Sequence, residues 1–160
     1  MSILVPSVRI LGNASMDDSL TDILINEGIL SAFQRLLKHP KTVVRREVCW
    51  VLSNIAAGTA YQVRALLNQS DLLKELTFMY QLDYHEIRRE TGFIFANIVQ
   101  KGDTAEVKKF YQEYSMVKMF VVAIDQKDSE NLRVKTLECL RAILAKDKTK
   151  FDGFVADRLA

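Results

Sequence analysis

Two short runs of this sequence place the same three kinds of chemistry at the same spacing. They are Glu47, Trp50 and Asn54 in VRREVCWVLSNIAAG, and Glu90, Phe93 and Asn97 in IRRETGFIFANIVQKG. An Asn carboxamide carries a donor and an acceptor that match one peptide unit, so a row of asparagines can hold an extended backbone whatever its side chains are. An aromatic face beside it attracts a Lys or Arg head group and flanks its aliphatic stem. A carboxylate supplies the ionic partner. The ligand that suits this set is a cationic, extended peptide.

Such a set works only if one surface presents it. On a helix, positions i, i+3 and i+7 superpose, so each acid, aromatic and amide share a face. Arg46 flanks Trp50 one turn back, and Ser53 stands beside Asn54. A different side of the first helix carries Val44, Val48, Val51 and Ile55, repeated in the second as Ile87, Ile94 and Ile98. That stripe is the one that packs on neighbouring elements. The pairs Arg45/Arg46 and Arg88/Arg89 read as solvent-facing helix charges that pair with nearby acids, not as a nucleic-acid patch.

The surrounding chain is organised to repeat this unit. With two prolines and six glycines in 160 residues, breaks are few, and the apolar residues between them recur at helical spacing. Pro6 suits a first helical turn, Gly28 can take a positive φ after SLTDILINEG, and Pro40 stops ILSAFQRLLKHP. Short, medium and long helices then follow in the same order twice more. Asp103 and Glu106 are spaced as a capping box, and Ser115 is placed to cap MVKMFVVAI. Aligning Asn13, Asn54, Asn97 and Arg141 gives spacings of about 41, 43 and 44 residues. The predicted fold is therefore all-α, a right-handed α-solenoid of about three and a half three-helix armadillo units. A partial repeat covers 1–14, repeats cover about 15–58, 59–102 and 103–146, and an amphipathic remnant helix covers 147–160. In this register Val134, Leu137 and Arg141 replace acid, aromatic and amide, so the last unit should not bind a basic peptide.

Bulk properties exclude several classes. A net charge of +2, with 26% charged residues, predicts no broad attraction to nucleic acid or membrane. No apolar run reaches the roughly 18 residues of a membrane span, and no signal peptide is recognisable, so a soluble intracellular protein is expected. Cys49 and Cys139 sit in apolar helical stretches and read as free, buried thiols. His39 and His85 share no motif with them, there is no phosphate-cradling glycine loop, and no cluster has metal-ligand spacing. Neither catalysis nor a cofactor or metal is expected. Phe110, Tyr111 and Tyr114 are read as core aromatics rather than a stacking platform for single strands.

The stretches PSVRILGNAS and NEGILSAFQRLLKHPKTVVRREVCWVLSNIAAG resemble the C-terminal armadillo repeats of the importin alpha family, most specifically in Trp50 followed by Asn54. The chain starts within the third helix of a repeat and is similar to a fragment covering roughly the seventh to tenth repeats. The resemblance implies the minor of the family's two sites for nuclear-localisation-signal peptides. Trp50 and Phe93 would flank a Lys or Arg stem, Asn54 and Asn97 would hold ligand backbone, and Glu90 would face a basic side chain. Arg9 and Asn13 match the groove-facing pair of the preceding repeat, and Asp17 and Asp18 stand where the family often carries a lysine-reading acid. Importin beta and an export receptor are partners by the same resemblance, with location in cytoplasm and nucleus; the family's basic importin-beta-binding segment has no counterpart here.

The leading expectation is thus an adaptor of nuclear import that binds basic peptides. The competing one is an armadillo scaffold that docks an export receptor or nuclear-pore factor without binding them, a role in which Leu137 to Leu159 would serve. Starting mid-repeat leaves Ile3, Val5, Val8 and Leu11 without a neighbour, so self-association is expected as well.

Overall fold

The computed structural model describes residues 3–125 and 130–146. These form α1 (Leu4–Ala14), α2 (Asp18–Asn26), α3 (Ile29–Leu36), α4 (Thr42–Ala57), α5 (Ala60–Leu67), α6 (Ser70–Leu82), α7 (His85–Lys101), α8 (Thr104–Glu113), α9 (Met116–Asp125) and α10 (Glu130–Lys146). The remnant helix expected over 147–160 lies outside the described residues.

Local chemistry sets the breaks. Gly28 joins α2 to α3 at φ 83°, the left-handed conformation a glycine adopts without a Cβ penalty. Thr59 and Gln62 form a reciprocal capping box at the start of α5. At α8 only half of the expected box exists. Asp103 accepts from the Ala105 amide at 2.9 Å, whereas Glu106 reaches across to Arg64 at 2.6 Å and ties successive repeats together.

The long third helices α1, α4, α7 and α10 stack directly on one another, and the shorter helices pack behind them. On α4 and α7, Val44, Val48, Val51 and Ile55 recur 43 residues on as the buried Ile87, Thr91, Ile94 and Ile98. An aromatic cluster joins the last two repeats: Phe95 lies 5.6 Å from Tyr80, 5.9 Å from Phe110 and 6.3 Å from Phe120. Phe110 and Tyr111 are core residues. The buried Tyr80 hydroxyl meets Thr136 Oγ1 at 2.9 Å, a polar contact inside the core.

The last helix corrects the sequence register by one residue. The buried positions of α10 are Leu132, Thr136, Cys139, Leu140 and Ile143, each 45 residues after a buried α7 counterpart (132−87). Thr136 repeats Thr91 even in its hydroxyl, which donates to the carbonyl four residues back at 2.8 Å in both helices. Lys135, Glu138 and Ala142 therefore stand in the places of Glu90, Phe93 and Asn97. Val134 and Leu137, 47% and 53% exposed, lie elsewhere, as does Arg141. LRVKT echoing IRRET is the signal that gives this register; matching Arg141 to an asparagine obscures it.

The unpartnered face at the amino end also differs in membership. Ile3 and Ile10 are 82% and 68% exposed, whereas Val8 is buried under α4 and Val5 and Leu11 are half-buried. Residues facing α4 are covered, and only those turned the other way remain open.

Candidate peptide-binding face

Trp50 is held by what lies beneath it. Its indole covers Gly12 of α1 so closely that a Cβ built on that glycine would meet Trp50 Cζ3 at 2.1 Å. Glycine here permits close approach, and the ring is half-buried against the core with one part left to solvent. Phe93 occupies the equivalent place on α7 and is also half-buried.

The asparagines have a second task. Asn54 Nδ2 donates to the Gly12 carbonyl at 3.2 Å and to Ser15 Oγ at 3.3 Å, and Asn97 Nδ2 donates to the Ser53 carbonyl at 3.0 Å. Each carboxamide thereby fastens its helix to the preceding third helix. This fixes the amide plane, which leaves one N–H of Asn97 and the carbonyl oxygens in a set orientation. Ser53 itself is buried, and its hydroxyl donates to the Trp50 carbonyl at 2.8 Å, so it serves the face through its backbone.

Charges on this face are paired within the chain. Glu47, with a side chain 8% exposed, accepts from Arg9 Nε at 3.0 Å and Nη2 at 2.8 Å, and from Arg46 Nη2 at 3.3 Å. The Arg9 hydrogen bonds hold its carboxyl below the usual carboxylate range against the opposing effect of burial, with Arg46 assisting. The same bonds push the exposed Arg9 guanidinium up. Glu90 accepts from Arg89 Nε and Nη2 at 3.3 and 2.9 Å. Beyond it, Lys135 Nζ sits 5.6 Å over the Phe93 ring and bonds Glu138 at 2.6 Å. Asn13 is exposed on α1. Asp17 is occupied as the cap of α2, accepting from the Leu20 amide at 2.9 Å, and Asp18 offers its carbonyl to Gln62 Nε2 at 3.1 Å.

The arginine pairs do not act alike. Arg46 and Arg89 are the groove-side members. Arg45 turns inward, 13% exposed, to make a bidentate pair with Asp83 at 2.8 and 3.0 Å and to bond the His39 carbonyl at 2.9 Å. Arg88 Nε bonds the Tyr80 carbonyl at 2.8 Å. The expectation that these first arginines face solvent is thus corrected: each clamps the turn that leads into a third helix. In sequence the two arginines of a pair look equivalent, and only the helix's rotation against its neighbours separates them.

Elsewhere, burial pushes the Cys49 and Cys139 thiols up to about 12, which leaves them protonated and inert at neutral pH. Among the described residues no group of His, Cys, Asp and Glu is arranged to hold a metal ion, and no helix is long and apolar enough to cross a membrane. A cavity of about 410 Å³ opens behind the face, lined by Ser70, Leu73, Glu106, Phe110 and Tyr114.

These stacked helix triplets, fastened side to side along their third helices, define an armadillo-repeat solenoid. A family model described as Armadillo/beta-catenin-like repeat matches residues 17–57, the segment holding α2 to α4. Designed proteins of this class have the same fold: one solved as a designed armadillo repeat protein in complex with the peptide (KR)4 aligns with a TM-score of 0.76 and 21% identity, over 88% of this chain and 62% of its own. In sequence the chain is similar to rice (Oryza sativa subsp. japonica) importin subunit alpha-2, 31% identical over 122 residues, which is 71% of this chain and 23% of the relative. It is also similar to rice importin subunit alpha-1a, 36% identical over 69 residues, covering 42% of this chain and 13% of the relative. The chain is thus an armadillo-repeat solenoid similar in sequence to these importin alpha subunits, and it spans less than a quarter of their length.

Proposed function

We propose that this armadillo scaffold binds an extended, basic segment of the nuclear-localisation-signal kind across α4 and α7. The observation that carries this reading is the pairing of Trp50 with Asn54, repeated as Phe93 with Asn97, four side chains that the stacking leaves half-buried on one side of α4 and α7. Ligand backbone would run past the fixed carboxamides, and a Lys or Arg stem would lie along the indole. The designed relative's complex with (KR)4 supports it, since a similar scaffold accepts alternating cations. Nuclear import, shuttling between cytoplasm and nucleus, and engagement of importin beta or an export receptor belong to the same proposal and follow from the importin resemblance.

Internal pairing limits the affinity. Glu47 and Glu90 already face Arg9, Arg46 and Arg89, so a ligand cation competes with resident guanidiniums. Weak, salt-sensitive binding follows, because exposed ion pairs are screened at physiological ionic strength. The same pairing favours a second reading, in which the solenoid docks a folded partner without taking basic peptides.

Anisotropy of a labelled lysine-rich peptide, titrated beside an acidic control, separates the two. Wild-type protein should bind the basic peptide alone, and Trp50→Ala should remove most of that binding, with thermal melts confirming that the variant is folded. Equal curves for Trp50→Ala and wild type would sink the assignment. No binding by either favours the scaffold reading.

A further inference from the structure

The contact between Lys135 and Phe93 has the composition of a ligand contact. An ammonium lies over an aromatic face and a carboxylate neutralises it: Lys135 Nζ is 5.6 Å from the Phe93 centroid and 2.6 Å from Glu138 Oε2. All three residues belong to the presenting positions, Phe93 on α7 and Lys135 and Glu138 on α10, where Glu90 and Phe93 have their counterparts 45 residues on (135−90, 138−93). At this last rung the charge order is therefore inverted, with a cation where the preceding rungs carry an acid.

Trp50 has no such occupant. The cations near its rung, Arg9 and Arg46, are bonded to Glu47, and no lysine or arginine stands over the indole among the described residues. Two rungs that look equivalent in sequence thus differ in state: one ring is open, and the other already carries a cation.

The geometry points to Lys135 as an internal pseudo-ligand and specificity-determining residue, which closes the Phe93 rung to basic side chains and confines a ligand cation to Trp50. This rests on the basic-peptide reading above. A ligand lysine arriving at Phe93 meets a ring face already used, a carboxylate already paired, and a like charge within a few ångströms. Taking Lys135 away reverses all three, because Glu138 then faces the groove unpaired. Peptides with one basic cluster should bind as well as peptides with two.

The test uses the full chain, the fluorescein-labelled peptide (KR)4, and the variants Lys135→Met and Lys118→Met. Methionine keeps the length and apolar stem of lysine and removes its charge. Lys118, exposed on α9, controls for the change in net charge. Lys135→Met should tighten (KR)4 binding by about threefold to tenfold, while Lys118→Met changes it by less than about twofold. A second measurement needs no ligand: the Lys135 side-chain methylene protons should show an upfield ring-current shift in NMR spectra that Phe93→Leu abolishes. Absence of that shift overturns the internal occupancy. A shift together with equal (KR)4 affinity in wild type and Lys135→Met overturns the gating role alone. If neither protein binds (KR)4, the basic-peptide reading fails and the gate falls with it.

Discussion

The presenting face of α4 and α7 and that of α10 diverge completely, although the stacking sides of the three helices are nearly interchangeable. Ile87, Thr91, Ile94 and Ile98 become Leu132, Thr136, Cys139 and Ile143, all buried, and even the threonine hydroxyl keeps its bond. Glu90, Phe93 and Asn97 become Lys135, Glu138 and Ala142. The stacking side is constrained by close packing, where volume changes of one methylene are felt. The presenting side is constrained only by what it touches outside the repeat. Its divergence marks where the ladder stops: the last helix keeps the solenoid's geometry, lacks the amide, and replaces the aromatic with a carboxylate.

Three measurements can break or sharpen that division. The largest effect should come from neighbouring aromatics on α7 that belong to opposite sides of it. Phe95→Ala empties a fully buried site among Tyr80, Phe110 and Phe120 and should cost about 3–5 kcal/mol in denaturant unfolding. Phe93→Ala, on the presenting side, should cost only about 1 kcal/mol. Similar losses from both would mean that Phe93 is core and the face is misdrawn.

A middle-sized effect distinguishes two glycines at helix crossings. Gly12→Ala drives a methyl into the rigid Trp50 ring, at 2.1 Å from Cζ3, and should cost about 2 kcal/mol while shifting the emission of the single tryptophan. Gly92→Ala meets Leu132 Cδ1 at 2.8 Å and Tyr80 Cε2 at 3.4 Å. The leucine methyl can turn aside, so the loss should stay near 1 kcal/mol or below. An unmoved emission spectrum in Gly12→Ala would show that the indole does not lean on α1.

The smallest effect is electrostatic. Folding holds the Glu47 carboxyl below its ordinary value of 4.5, chiefly through Arg9. Between that lowered value and 4.5 the unfolded chain binds more protons, so stability rises with pH there. The contribution is full above pH 4.5 and is lost as pH falls through the lowered value. Unfolding midpoints measured from pH 6 down to pH 3 should therefore fall less steeply for Glu47→Gln than for wild type. Parallel curves would show that Arg9 and Glu47 are not coupled in solution.

Much of the molecule was legible beforehand for a plain reason: a repeated sequence reports its own period. Trp50 with Asn54 and Phe93 with Asn97 stand out because two registers coincide, and Gly28 and Pro40 punctuate the helices as their backbone preferences require. The register of α10 is not legible from the presenting face, which has diverged; it follows from the buried Leu132 and Thr136, which keep the spacing of Ile87 and Thr91. The clamp role of Arg45 and the buried pairing of Glu47 were also illegible. Both depend on partners 38 residues away, Asp83 and Arg9, that only stacking brings within reach.

The sequence by itself determined the helices, their order in triplets, and which stripe of α4 and of α7 must be buried, since these follow from spacing within one turn or one repeat. Tertiary structure alone decided the state of the groove. How each third helix is rotated and offset against the next sets whether an acid meets a neighbour's arginine and whether an aromatic face lies open or under a lysine. Trp50 and Phe93 occupy equivalent positions in sequence. A lysine from the following repeat covers one of them, because the contact between successive helices is made in space at a distance of 42 residues along the chain (135−93).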